Sequence, residues 1–174
     1  MTSILTVCTG NICRSPAAEL LLTEYLGPDA VVSSAGTYAM VGFGIPGEML
    51  MCLDVDGIDG RGHSAQQLTA DLARQHDIII CMTAAHRSWA VREAPFALKR
   101  TFLLTEIAAA AREGAPLEGG LAGVADAVQS FRVELAGRDL ADVPDPYRRG
   151  QKLYDESYAM IRSAVNDIAA WVRA

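Results

Sequence analysis

The chain has 174 residues, the size of one ordinary domain, and 51% of them are apolar, enough to bury a core. A charged fraction of 21% is ordinary and gives no sign of disorder. The formal net charge of −6 argues against broad binding to nucleic acid or anionic membrane, both of which need a basic footprint.

In chain order, Ser3 to Cys8 reads as a short buried strand. Its apolar run is too short for the core of a signal peptide, and no run reaches the length of a membrane span, so a cytoplasmic location is expected. Pro16 to Leu26 reads as a helix with Ala17, Leu21 and Tyr25 on one stripe and Ala18, Leu22 and Leu26 beside it, stopped by Gly27-Pro28. Ala30 to Ser34 is a second strand, and the glycine-rich stretch from Gly36 to Gly47 is loop. A helix is expected near Glu48 to Leu53 and another over Leu68 to Gln75. Asp77 to Met82 is a buried strand, followed by a helix over Ala84 to Arg92. Thr101 to Leu104 is a fourth strand, leading into an alanine-rich helix. Leu121, Val124, Val128, Phe131 and Leu135 recur at helical spacing, as do Tyr154, Tyr158, Ile161, Val165, Ile168 and Val172.

Strands alternating with helices, with no repeat and no linker, predict one α/β domain over residues 1–174 with a small parallel sheet. Ligands of such sheets sit beyond the carboxyl ends of the strands. The four cysteines, Cys8, Cys13, Cys52 and Cys81, form no disulfide-scaffold pattern. His63, His76 and His86 are scattered, so neither a metal site nor a cofactor is expected, and His76 and His86 are assigned to helix surfaces. Cys52 and Cys81 are assigned to the core.

The chemistry is concentrated where the first strand should end. Cys8-Thr9-Gly10-Asn11-Ile12-Cys13-Arg14-Ser15 runs from a strand into a helix. Gly10 and Asn11 are the residue types that most readily take positive φ, so the chain can curl. A curled loop and a helix N-terminus together turn backbone N–H groups toward one point and make an anion cradle. Arg14 adds a planar fork of donors suited to phosphate. These surroundings favour a thiolate at Cys8, a strong nucleophile. By spacing alone, Cys-x5-Arg is as readily a buried cysteine ending a strand beside a solvated arginine.

The stretch Val7 to Pro16 closely resembles the active-site loop of the low-molecular-weight protein tyrosine phosphatases. Ser33-Ser34-Ala35-Gly36-Thr37, Gly62-His63-Ser64-Ala65 with Gln67-Leu68, Cys81-Met82, and Asp142-Val143-Pro144-Asp145-Pro146-Tyr147 resemble later family segments in the family's order. The resemblance implies four parallel strands flanked by helices on both faces, and a bacterial phosphotyrosine-protein phosphatase. It implies Cys8 as nucleophile, Arg14 as phosphate clamp and Asp145 as general acid and base. Asn11, Ser15, Ser34 and His63 would support the loop, with Thr9, Gly10, Ile12 and Cys13 completing it. Cys13 would be a redox partner that can form a reversible disulfide with Cys8. Met40 and Tyr147 would line the substrate pocket, with Arg148, Arg149 and Lys152 giving the rim a positive balance. The partner would be a tyrosine-phosphorylated protein, a bacterial tyrosine kinase among the candidates.

Departures from the family pattern are Met40 at the lip, Gln66 in place of a basic residue, Thr83 in place of an acidic one, and Arg148 after Tyr147. Two other functions fit the same loop. One is a thiol-type arsenate reductase, which needs two further cysteines after the third strand, whereas Thr83 to Ala90 hold none. The other is a non-catalytic phosphate- or phosphopeptide-binding module, which could dispense with Asp145.

Overall fold

A computed structural model describes all residues, Met1–Ala174. Four strands form one sheet: β1 (Thr2–Cys8), β2 (Ala30–Gly36), β3 (Ile78–Cys81) and β4 (Thr101–Leu103). They lie in the order β2-β1-β3-β4, all parallel, with Cys8 opposite Gly36 and Val7 opposite Cys81. The chain moves from β1 to one side and then back to the other. Its switch point therefore lies at the carboxyl ends of β1 and β3, where a parallel sheet opens a crevice for ligands.

Side chains on successive strand residues alternate between faces, and this divides the core. Ile4, Cys8, Ile78, Ile80 and Phe102 face one side, while Leu5, Val7, Ala35, Ile79 and Cys81 face the other. Seven helices cover the two faces: α1 (Arg14–Leu26), α2 (Gly47–Val55), α3 (Ala70–Arg74), α4 (Ala84–Glu93), α5 (Leu104–Arg112), α6 (Val124–Leu135) and α7 (Gln151–Arg173). The larger core takes Leu21 and Leu22 of α1, Leu104 and Ile107 of α5, Val124 and Val128 of α6, and Tyr154, Tyr158, Ile161, Val165 and Ile168 of α7. The smaller one takes Ala73 of α3 and Ala90 of α4. This is the expected four-stranded parallel sheet with helices on both faces. No helix is long and apolar enough to cross a membrane.

The differences from expectation lie at element ends. α1 begins at Arg14 rather than Pro16, so the loop runs directly into the helix. β2 extends to Gly36 rather than Ser34, keeping register with β1 as far as Cys8. The helix expected over Leu68 to Gln75 shrinks to α3, because two competing interactions claim its first residues. The Leu68 amide donates to the Gly36 carbonyl at 2.8 Å, beside a bridge between Gln67 and Gly36, and the Thr69 hydroxyl accepts the Leu72 amide as an N-cap. His76 and His86, assigned to surfaces, are buried instead. His76 bridges the Ser33 hydroxyl, at 2.7 Å from Nε2, and the Leu72 carbonyl, at 2.8 Å from Nδ1. Cys52 and Cys81 are buried as expected, and burial pushes the Cys81 thiol well above the ordinary range.

Candidate active site

The loop after β1 closes into a cup because its carbonyls are taken from outside. The Cys8 carbonyl accepts the Thr37 amide at 2.9 Å, Thr9 that of Tyr38 at 3.0 Å, and Gly10 that of Met40 at 2.9 Å. The Asn11 carbonyl accepts Nε2 of His63 at 2.7 Å. Every peptide bond is trans, and across a trans peptide the C=O and the next N–H point in opposite directions. Four carbonyls turned outward therefore turn the amides of Thr9, Gly10, Asn11 and Ile12 inward. Below them α1 adds its open N-terminus, where Cys13 supplies no side-chain cap. Together these groups form a nest for an anion.

Asn11 takes the left-handed conformation at φ 56°, as the curl requires. Gly10 does not have positive φ, which corrects one of the two expected positions. A Cβ on Gly10 would meet Met40 and Ile12 at ordinary contact distance. The glycine that close packing does require is Gly36, whose added Cβ would lie 2.4 Å from the Thr9 carbonyl oxygen.

The Asn11 side chain fixes the curl further. Its Nδ2 donates to Ser15 Oγ at 2.9 Å and Ser34 Oγ at 2.8 Å, and its Oδ1 accepts the Gln66 amide at 2.8 Å. Ser15 Oγ lies 3.0 Å from Cys8 Sγ, so the network ends on the sulfur. Ser34 in turn donates to Glu19 Oε2 at 2.5 Å, and burial raises the Glu19 carboxyl above its usual range, opposed by that bond and by His63. The structure thus brings Asn11, Ser15, Ser34 and His63 together around Cys8. Gln66, named only as a departure, supplies a backbone donor to Asn11 and a side-chain donor to the Ser34 carbonyl at 2.9 Å.

Arg14 is buried beside the cup. Its Nη1 donates to the Val143 carbonyl at 3.1 Å, and its Nη2 lies 3.6 Å from Asp145 Oδ2. The acid-bearing loop is held at three points. Asp142 accepts the Ala84 amide at the start of α4 at 2.8 Å, the Val143 amide donates to the Met82 carbonyl at 3.0 Å, and Arg14 holds the Val143 carbonyl. Asp145 Oδ1 accepts the Tyr147 amide at 3.2 Å, which orients the carboxyl.

These elements enclose a cleft lined by Cys8, Thr9, Gly10, Ile12, Cys13, Arg14, Tyr38, Met40, Asp145 and Tyr147. Cys8 is 2% exposed and the Asp145 side chain 53%, so the sulfur lies at the floor and the carboxyl at the mouth. Met40 and Tyr147 line this cleft, and Tyr38 is an additional wall, edge-on to Trp89 at 6.1 Å. Of the basic rim residues, Arg148 stacks its guanidinium 5.2 Å from the Tyr147 ring centre, with its backbone left-handed at φ 58°. Arg149 and Lys152 are exposed.

The two loop cysteines differ. Burial pushes the Cys13 thiol up to about 12, only partly opposed by its hydrogen bond to the Tyr154 hydroxyl, with Cys8 and Asp145 adding to the rise. Cys13 is therefore a thiol at neutral pH and a poor nucleophile. No cluster of three or more His, Cys, Asp or Glu side chains is placed to hold a metal ion.

His86, in the first turn of α4, touches the cup directly. Its Nε2 lies 2.8 Å from Thr9 Oγ1 and its Nδ1 is buried without a partner. Burial, with the Arg14 charge adding to it and Asp142 and Asp145 opposing, pushes the imidazole down to about 4. The folded state then resists a proton that the unfolded chain accepts near pH 6.5. Stability from this group is complete above pH 6.5 and is lost as pH falls toward 4, by about 3 kcal/mol at most at 1.36 kcal/mol per unit. Urea unfolding should therefore show the gap between wild type and His86→Gln narrowing from pH 7 to pH 4.5.

Comparison with known proteins gives one consistent answer. The profile of the family described as low molecular weight phosphotyrosine protein phosphatase matches residues 3–123. The chain is 32% identical over 165 residues to the low molecular weight protein-tyrosine-phosphatase Ptp of Acinetobacter johnsonii, covering 95% of this chain and 94% of that one. The tyrosine phosphatase Wzb from Escherichia coli K30, solved in complex with sulphate, superposes with a TM-score of 0.74 at 29% identity over 98% of each chain. The YwlE arginine phosphatase from Geobacillus stearothermophilus superposes with a TM-score of 0.77 at 25% identity, over 99% of this chain and 94% of that one. With the profile spanning most of the sequence and a relative above 30% identity aligned along nearly all of it, the chain belongs to the low molecular weight phosphotyrosine protein phosphatase family.

Proposed function

We propose that this protein hydrolyses phosphotyrosine in proteins through a cysteinyl-phosphate intermediate. The observation that carries the reading is the run of four carbonyls from Cys8 to Asn11 held from outside, which turns the following amides inward, with Arg14 and Asp145 facing each other beside it. The amides and the Arg14 fork hold the phosphoryl oxygens. The Cys8 thiolate attacks phosphorus in line with the leaving oxygen, forming the S–P bond as the P–O bond to the phenol breaks. Asp145 gives its proton to the departing oxygen. Water then attacks the cysteinyl phosphate, the Asp145 carboxylate takes its proton, and inorganic phosphate leaves with the thiolate restored.

The cleft walls favour a phenyl group. Ile12, Tyr38, Met40 and Tyr147 present an apolar surface between the cup and the mouth, which suits an aromatic ring. A phosphoarginine guanidinium needs polar acceptors in the same space, and Asp145 is the carboxylate among the lining residues. We expect phosphotyrosine to be turned over at least ~10-fold faster than phosphoarginine in kcat/KM, the cost of leaving polar groups unpaired on an apolar wall. A phosphate-release assay with the two phosphoamino acids checks this. Preference for phosphoarginine, in keeping with the likeness to YwlE, overturns the substrate assignment, and no release from either overturns the phosphatase reading.

The physiological partner on this reading is a tyrosine-phosphorylated protein, and a bacterial tyrosine kinase fits it. A thiol-relay arsenate reductase fits poorly, because Cys81 is fully buried in the sheet and no cysteine follows it. A silent binding module is disfavoured by the three contacts that hold the loop of Asp145 in place.

A further inference from the structure

We propose that His86 is a positioning residue for the anion cup: it holds Thr9, the residue after the nucleophile, through the hydrogen bond between its Nε2 and the Thr9 hydroxyl. This rests on the phosphatase reading above.

The geometry gives the bond a purpose beyond packing. His86 is 5% exposed, yet its Nδ1 has no partner. An unpaired polar atom in the interior is unfavourable, and an apolar side chain of the same size would avoid it. What the imidazole contributes instead is a single bond of 2.8 Å to a residue whose own side chain is at the surface. Thr9 carries the first inward amide of the cup. The carbonyls on either side of that amide's residue are fixed by Thr37 and Tyr38, both from the segment after β2. His86 adds a third point of attachment from the opposite flank.

The helix that carries His86 gives this attachment reach. The first amide of α4 is bonded to Asp142, so one end of one helix holds both the acid-bearing loop and the cup. His86 thereby sets where the floor of the cup lies relative to Asp145. The charged groups around the ring are Arg14 from α1, and Asp142 and Asp145 from the acid-bearing loop. Burial and Arg14 keep the imidazole neutral at working pH, so it acts as a hydrogen-bonding group and adds no second cation. With Nε2–H donating, the Thr9 O–H proton is free to turn toward an anion in the cleft that Thr9 lines.

The test is a double-mutant cycle on kcat/KM for p-nitrophenyl phosphate, together with inhibition by inorganic phosphate. Thr9→Val and His86→Phe should each lower kcat/KM about tenfold and weaken phosphate inhibition alongside it, the scale of one lost positioning hydrogen bond. The double variant should be no worse than either single one. His86→Gln, which keeps a donor at similar reach, should recover most of the loss. Losses that multiply in the double variant, or phosphate inhibition that stays at the wild-type value, overturn the proposal. Should His86→Phe fail to fold, Thr9→Val at an exposed position decides alone, and wild-type kinetics there overturn the proposal. An active wild type matched by Thr9→Val sinks this proposal only, whereas a wild type with no turnover sinks the phosphatase reading and this proposal with it.

Discussion

Cys8→Ser should abolish turnover of p-nitrophenyl phosphate, by at least ~10⁴-fold, as expected when the group proposed to form the covalent intermediate is lost. The reason is local. A hydroxyl at this position is a far weaker nucleophile at neutral pH than a thiolate, and Cys13 cannot replace it because burial holds it as a thiol. The cup itself should survive the change. Its carbonyls are fixed by backbone amides and by His63, and Asn11 and Ser15 keep their bonds to each other. Inorganic phosphate should therefore bind Cys8→Ser within a few-fold of wild type by calorimetry. Residual turnover above about one part in a hundred would assign the nucleophile elsewhere.

The second large effect is at Asp145. In Asp145→Asn we expect kcat/KM for phenyl phosphate to fall by roughly 10²–10⁴-fold, the usual contribution of a positioned general acid. Asparagine keeps the size and can still accept the Tyr147 amide, so the loop should hold its shape. The loss should be much smaller for p-nitrophenyl phosphate, whose nitrophenolate departs without a proton. The Arg14–Asp145 pair is half open to solvent on the acid's side, so its removal should change stability by about 1 kcal/mol or less. A rate that falls equally for both leaving groups would show that Asp145 acts through position or charge and not through its proton.

Much of this architecture was legible because the strands announce themselves. Ile78 to Ile80, and Ile4, Leu5 and Val7 around the small Thr6, are buried stretches of the kind a parallel sheet covers on both faces. The cup was legible because a nucleophile, a curl-forming Asn and an arginine stand at the join of a strand and a helix. The buried histidines were not legible, and α4 shows why. Its inward face is only His86 and Ala90, with no apolar stripe to orient the helix. The partner of His86 is 77 residues away, and nothing local points to it. Glu19 was missed for a related reason. It lies one turn after Ser15 and turns toward Ser34 across the gap between α1 and β2, a contact set by packing and not by spacing. Gly36 looked like the start of a loop, but the structure needs it as the place where Thr9 passes too close for any side chain.

The loop carrying Asp145 is docked by Asp142, Val143 and Arg14. Anchored at three points, it should move little as a ligand enters, and little flexibility should be forfeited on binding. Small competitive inhibitors should meet the same walls in the resting enzyme as in the working one, so rigid compounds cut to this shape should lose little affinity to reorganisation.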